Sequence, residues 1–204
     1  MGKNYIKSHY KKSNVFGKKQ KINDVVKYSI ALAIISLFAF VPQIGFLTVN
    51  NFGLALILLP IIIIGACWGI WINLFVWTMF GIYALILSYT MIPNVFMNNP
   101  LPSVVARICV GIIVTGWKLL FSKSKKYYNL QNLMIYISPI LNTIFVVLFL
   151  QVSTWLKVGI FDGSNWGLIA FLSITWPNII IEWAILIPIG LTVSMRINKY
   201  NINL

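Results

Sequence analysis

The stretch IWINLFVWTMFGIYALILSYTM, residues 70–91, decides the fold class of this chain. It contains no charged side chain and is long enough to cross a bilayer core, which takes about 20 residues of helix. Five further apolar runs lie on either side of it, at about 27–47, 53–68, 102–121, 131–156 and 167–196. The sequence therefore predicts an all-α membrane protein, with a six-transmembrane-helix bundle over residues 27–196. The break between the second and third runs is expected from Cys67 to Ile70.

The composition excludes a soluble domain. Hydrophobic residues make up 59% of the 204 residues and charged residues only 9%, whereas an ordinary soluble domain carries about 25% charged residues. So few charges could not cover the surface of a soluble protein, but lipid tails are a suitable solvent for an apolar surface. Cys67 and Cys109 fall within apolar runs without a metal-ligand spacing partner, so both are predicted to be packed thiols.

The basic residues are concentrated in an N-terminal tail, residues 1–26. The net charge is +13, and eight of the sixteen Lys and Arg residues lie at or before residue 27: Lys3, Lys7, Lys11, Lys12, Lys18, Lys19, Lys21 and Lys27. Such a segment beside a membrane span is typical of a cytoplasmic anchor to anionic lipid headgroups. No aromatic and basic RNA-binding motif follows it, so no nucleic-acid partner is predicted.

The remaining charges predict the orientation, because cytoplasmic loops collect Lys and Arg. The fourth run is followed by Lys118, Lys123, Lys125 and Lys126, and the sixth by Arg196 and Lys199. The segments 42–52 and 92–103 carry no charge, and the segment 156–166 carries one charge of each sign. Six spans with both termini in the cytoplasm satisfy these counts and leave residues 197–204 as a short C-terminal tail.

The sequence offers little for catalysis. It has no GxxxxGK[ST] phosphate loop, and its one histidine, His9, lies in the basic tail, away from the apolar runs. Its three acids, Asp24, Asp162 and Glu182, form no close pair in sequence for carboxylate or metal chemistry. We therefore expect no enzyme activity and no cofactor, which leaves binding or transport.

Polar residues inside the apolar runs are the candidate binding groups, because burying them in lipid is costly. Arg107 lies toward the outer end of the fourth run, Asn142 near the middle of the fifth, and Glu182 in the sixth, one turn after Asn178. With the amides of the outer loops they form the predicted substrate-binding set: Asn50, Asn51, Asn99, Arg107, Asn142, Asn178 and Glu182. The alternative is that Arg107 and Glu182 only pair with each other or with backbone groups as structural contacts.

Small residues recur at helix-contact spacing, which allows close approach of helix backbones in a membrane. Ser29, Ala33 and Ser36 share one face of the first run, and Gly65, Gly69 and Asn73 follow one another at four-residue steps. These stripes predict either packing within the bundle or docking of another membrane subunit.

Several segments together resemble a known family. LLPIIIIGA at 58–66, followed by Gly69, resembles the second-helix motif of the substrate-binding S components of energy-coupling factor (ECF) vitamin transporters. NPLPSVVARICVG at 99–111 is similar to the start of their fourth helix, and Asn142-Thr143 to a pair in their fifth. Pro177-Asn178, followed by Glu182 and Pro188, resembles the sixth helix of the pantothenate-type branch. Ala106 and Ile70 depart from the pattern, since prolines are common at both positions.

The resemblance implies a multi-pass protein of the cell membrane that captures an extracellular water-soluble vitamin, with pantothenate favoured and folate or riboflavin next. It implies association with a transmembrane coupling (T) subunit and two ATPase subunits, docked through Ser29, Ala33 and Ser36. Arg107 would pair with a substrate carboxylate, and Asn142 and Asn178 would bond hydroxyl or amide groups. The alternative function is a structural or assembly membrane protein that docks a partner through its small-residue helix faces.

Overall fold

A computed structural model describes residues 3–41, 45–49, 52–90, 98–121, 128–156, 176, 180–181, 183–193 and 195–196. Over these residues the chain is almost entirely helical. The exception is a two-stranded antiparallel hairpin, in which Phe46 pairs with Ala55 and Val49 with Phe52.

The elements follow one another as a succession of helices interrupted once by the hairpin. They are α1 (Lys3–Phe40), β1 (Phe46–Val49), β2 (Phe52–Ala55), α2 (Leu58–Cys67), α3 (Ile70–Thr90), α4 (Leu101–Phe121), α5 (Tyr128–Trp155) and α6 (Trp183–Val193). The first turn of α4, Leu101–Val105, is π-helical, and the remainder is α-helical.

Among the described residues, four helical segments are long and apolar enough to cross a membrane: Ile22–Phe40, Ile70–Thr90, Leu101–Phe121 and Asn132–Trp155. Leu58–Cys67 and Trp183–Val193 are shorter apolar helices. The all-helical membrane class expected from the sequence is thereby confirmed at this coarser level. The last three of these segments agree closely with the predicted runs at 70–91, 102–121 and 131–156. The predicted break from Cys67 to Ile70 is confirmed because α2 and α3 are separate helices.

Two predicted boundaries are wrong. The first run was predicted at roughly 27–47, ending near Pro42 and Gly45, but α1 ends at Phe40 and Phe46–Val49 is a strand. The run at 53–68 was also expected to be helical, but its first residues belong to β2 and its helix begins at Leu58. Proline explains both, because Pro42 disfavours helix at Val41 and the ring of Pro60 would clash with the Leu56 carbonyl of a longer helix.

The core lies where α3 packs against α1 and α4, and α4 packs against α5. Ala31, Ile35 and Ala39 of α1 recur at four-residue steps and are fully buried, since every fourth residue returns to the same helix face. Buried side chains of the other helices complete this core: Ile61 and Ile62 in α2, Val76 and Trp77 in α3, and Val110 and Val114 in α4. Helix α6 joins it where Gly190 lies against Ile62 of α2.

Gly111 sets the separation of α3 and α4. A Cβ atom at this position would lie 2.9 Å from Cβ of Trp77 and 3.1 Å from Cδ1 of Leu74. The first distance is shorter than van der Waals contact and involves an atom attached directly to the backbone. The two helices therefore approach as closely as they do because residue 111 has no side chain, in keeping with the small residues found at membrane-helix contacts.

We expect Gly111→Ala to destabilise the bundle by about 1–3 kcal/mol, because the methyl group forces α3 and α4 apart. Gly116→Ala is the matched control on the same helix, since within the described part of the chain a Cβ there meets nothing within 4 Å. The control should keep or slightly raise stability, because alanine favours a helix more than glycine does. Thermal unfolding in detergent measures both variants, and equal midpoints would contradict the packing assigned to Gly111.

Candidate functional site

Arg107 is a buried cation near the start of α4. Its side chain is only 6% exposed, and it lies about 9 Å along the helix from Leu101 at a rise of about 1.5 Å per residue. Its Nη1 donates to the carbonyl oxygens of Ser103 at 2.5 Å and Pro102 at 3.2 Å. Its guanidinium carbon lies 4.4 Å from the centroid of the Phe80 ring on α3. These contacts hold the guanidinium plane in one orientation.

The π-helical turn explains why those carbonyls are within reach of Arg107. In this turn the amide of Ala106 donates to Leu101, five residues back, and not to Pro102. Pro102 and Ser103 are both buried, so their carbonyls gain from a side-chain donor where water is excluded. Gly81 of α3 lies directly against this turn, because a Cβ there would be 3.1 Å from the Val104 Cα.

Asn99 ties the start of α4 to the end of α5. It is 6% exposed, its Oδ1 accepts from the Leu101 amide at 3.0 Å, and its Nδ2 donates to Ser153 Oγ at 3.2 Å. The adjacent Asn98 carbonyl accepts a hydrogen bond from the Tyr89 hydroxyl at the end of α3. This predicted binding residue is therefore held by contacts to α4 and α5, at the same end of the bundle as Arg107.

Asn142 lies deeper on α5. The two helices run antiparallel, with Ala106 of α4 packed against Val146 and Leu150 of α5, and Asn142 is one turn before Val146. Its Oδ1 is buried and has no hydrogen-bond partner among the described residues. A buried amide oxygen without a partner is costly, so this acceptor is suited to a donor that the described chain does not supply.

The other predicted residues divide into two groups. Asn50, Asn51, Asn178 and Glu182 lie outside the described residues. Of the predicted docking stripe on α1, Ser29 and Ala33 are exposed on the surface of the bundle. Ser36 turns inward, where its hydroxyl donates to Leu32 O at 2.7 Å and shares a 2.6 Å hydrogen bond with the Tyr83 hydroxyl of α3.

A second polar cluster at the opposite end of α4 was missed by sequence reasoning. Lys118, expected in the loop after the fourth run, is within the last turn of α4 and only 5% exposed. Its Nζ donates to Gly65 O at 2.7 Å and to Trp68 O at 3.0 Å. Its position four residues after Val114, which is fully buried, is the signal that places Lys118 on the inward face.

Asn73 belongs to the same cluster and corrects the second stripe of small residues. Gly65, Gly69 and Asn73 do not share one helix, because the chain breaks between α2 and α3. Instead Gly65 faces Asn73 across the break, where a Cβ on Gly65 would lie 2.6 Å from Asn73 Oδ1. Asn73 Nδ2 donates to Thr115 Oγ1 of α4 at 3.0 Å.

No protein-family model matches the chain, and no curated protein matches it. The chemistry of the site is therefore argued from its geometry. The end of the bundle near Arg107 presents an oriented guanidinium, an anchored amide at Asn99 and a buried amide acceptor at Asn142. A cation and amides among apolar walls can bind an anionic group and a neighbouring hydrogen-bond donor.

We expect Arg107→Lys to lower stability by about 1–2 kcal/mol, although it keeps the charge. An ammonium cannot both reach the two adjacent carbonyls and lie flat over Phe80 as a planar guanidinium does. Arg196→Lys is the matched control, because Arg196 is exposed, and it should leave stability unchanged. Thermal unfolding of the two variants checks this, and a wild-type midpoint for Arg107→Lys would exclude an ordering role for the guanidinium.

Proposed function

We propose that this chain is the substrate-binding S component of an ECF-type importer, a six-span cell-membrane protein with both termini in the cytoplasm. It would capture an extracellular water-soluble vitamin, with pantothenate favoured and folate or riboflavin next. The observation that carries the proposal is the buried and oriented Arg107 in an otherwise apolar bundle. The order and spacing of the motifs at 58–66, 99–111 and 142–143 support it.

A buried guanidinium is expensive in a membrane protein and is commonly functional for that reason. The carbonyls of Pro102 and Ser103 offset part of this cost and fix the direction of the group. An arginine held in this way is well suited to a carboxylate, which it binds with charge-assisted hydrogen bonds. Pantothenate and folate carry carboxylates, and this supports placing pantothenate first.

The amides provide the remaining polar contacts of the proposed site. The Asn142 Oδ1 acceptor is one helical turn before the level at which α5 packs against Ala106. A hydroxyl or amide donor of the ligand would satisfy it. Asn99, held by Leu101 and Ser153, would line the entrance, and Asn50, Asn51, Asn178 and Glu182 complete the proposed set.

Transport would depend on partner subunits, because the chain contains no GxxxxGK[ST] loop for ATP. We propose a transmembrane T subunit and two ATPase subunits as these partners. Ser29 and Ala33 are exposed on α1, and exposed Ile30 and Leu37 flank them. A small-residue face bordered by large apolar side chains suits close docking of another membrane helix.

Binding of radiolabelled pantothenate, folate and riboflavin to the purified protein tests the function. We expect one vitamin to bind with a dissociation constant in the micromolar range or below. Asn142→Leu should weaken that binding by about tenfold or more, the cost of one unmatched polar contact, without lowering the thermal midpoint, because Asn142 Oδ1 has no described partner to lose. Gly116→Ala is the binding control.

Failure of every vitamin to bind at micromolar concentration would overturn the proposal. A loss of stability in Asn142→Leu that equals its loss of binding would instead assign Asn142 to packing.

Impermeant thiol labelling tests the proposed orientation. In a chain in which Cys67 and Cys109 are replaced by serine, we expect Asn94→Cys to react from outside intact cells. Ser124→Cys should react only after the membrane is opened, because three lysines surround it and positive loops remain in the cytoplasm. Reaction of both positions from one side would contradict six spans with cytoplasmic termini.

The exposed face of α1 also favours the alternative, an assembly protein that docks a partner and binds no vitamin. Ala33→Leu separates the two functions, because Ala33 is exposed and distant in sequence from the proposed binding residues. Loss of a co-purified membrane partner in this variant, with no vitamin bound by the wild type, would favour assembly. Vitamin binding that survives Ala33→Leu while uptake is lost would favour transport.

A further inference from the structure

The joint between α2 and α3 is short and partly polar. Helix α2 ends at Cys67 and α3 begins at Ile70, so only Trp68 and Gly69 connect them. Trp68 is extended, with φ of −107° and ψ of −174°, and its amide donates to Ile64 O at 2.9 Å. The last carbonyls of a helix have no amide partner within that helix, so the end of α2 needs donors from elsewhere.

Lys118 of α4 supplies such donors. Its Nζ bonds the carbonyls of Gly65 and Trp68, one on each side of the last residues of α2. The ammonium also lies at the negative end of the α2 dipole and in the last turn of its own helix, where a cation is favoured. Because the side chain is 5% exposed, water competes little for these carbonyls, and one side chain fastens the end of α2 to α4.

Gly69 shows no need to be glycine in the present conformation. A Cβ at this position meets no atom of the described residues within 4 Å, and the φ of Gly69 lies outside the left-handed region. Gly65, Gly81 and Gly111 differ, because each has a close neighbour, whereas Gly116 resembles Gly69 in this respect but lies within helix α4 and not at a joint. A glycine that neither packing nor φ requires leaves the two-residue joint with the greatest backbone freedom.

We propose that Trp68 and Gly69 form a hinge between α2 and α3, and that Lys118 is the latch that holds it closed. Opening breaks the two Lys118 bonds, releases the last turn of α2 and exposes Cys67, which is half-buried at the end of that turn. The rest of α2 stays packed, since Ile57, Leu58, Ile61 and Ile62 are buried. This device does not depend on the proposed vitamin site and lies at the opposite end of α4 from Arg107.

The two cysteines report local and global opening separately. With Cys109 replaced by serine, a water-soluble maleimide measures exposure of Cys67. With Cys67 replaced, the same reagent measures Cys109 in the middle of α4. We expect Lys118→Met to raise the Cys67 rate at least about tenfold, since it removes two bonds from a charged donor, and to leave the Cys109 rate unchanged. Lys27→Met on α1 is the matched control and should change neither rate.

Gly69→Ala tests the hinge independently of the latch. The methyl group fits without a clash, so the thermal midpoint should be kept. Restricting the joint should slow Cys67 labelling about threefold, in line with the smaller backbone freedom of alanine. Combined with Lys118→Met, it should reverse part of the increase in the Cys67 labelling rate.

The proposal is overturned if Lys118→Met leaves the Cys67 rate at the wild-type value or raises both cysteine rates equally. If the Lys118→Met protein does not fold, the Gly69→Ala variant provides the test. An unchanged Cys67 labelling rate in Gly69→Ala also overturns the proposal. All measurements are made without a vitamin, so their outcome is separate from that of the binding test.

Discussion

The exclusion of water from the bundle is the constraint on which the arrangement of α4 depends. This helix carries two buried cations, Arg107 and Lys118, about 16 Å apart along its axis at a rise of about 1.5 Å per residue. Each donates to backbone carbonyls that an irregular helix end makes accessible: the π-helical turn for Arg107 and the end of α2 for Lys118. Irregular backbone is tolerated at membrane depth only where the protein buries it and supplies its hydrogen bonds. The cations and the helix irregularities therefore depend on each other.

Close packing around α4 makes these contacts possible. Gly81 brings α3 against the π-helical turn, and Gly111 brings Trp77 against the middle of α4. The same separation places the Phe80 ring over the Arg107 guanidinium. Because lipid tails give helices no hydrophobic reason to associate, this contact geometry contributes more to holding α3 and α4 together than burial of apolar area does. A change in their separation would shift the aromatic face on which the guanidinium lies.

The sequence predicted the parts of the fold that depend on hydropathy and length. The runs at 70–91, 102–121 and 131–156 correspond to α3, α4 and most of α5, since each is long and apolar and lacks a break that ends the helix. The hairpin was missed because the residues of Phe46–Val49 and Phe52–Ala55 are mostly apolar, like those of the helices that precede and follow them in the sequence. Lys118 was placed in a loop because charge counting treats a lysine near a span end as solvated, and its carbonyl partners come from residues about 50 positions away. Arg107 was selected because a charged group inside an apolar run stands out in the sequence, and Asn99 because it is an amide of a predicted outer loop. The partners of both depend on tertiary contacts, which the sequence does not show.

The two ends of α4 differ in which helices the carbonyls bonded by their cations belong to. At the Lys118 end the cation bonds carbonyls of α2, and the Asn73 amide bonds Thr115, so helices are joined to helices. At the Arg107 end the guanidinium donates to two carbonyls of its own helix and lies over a ring of α3. Buried amide oxygens without a donor among the described residues occur at both ends, at Asn142 near Arg107 and at Asn73 near Lys118. The bonds from Lys118 to α2 give this cation a structural role, whereas the orientation of the Arg107 guanidinium is the feature on which the proposed binding role depends.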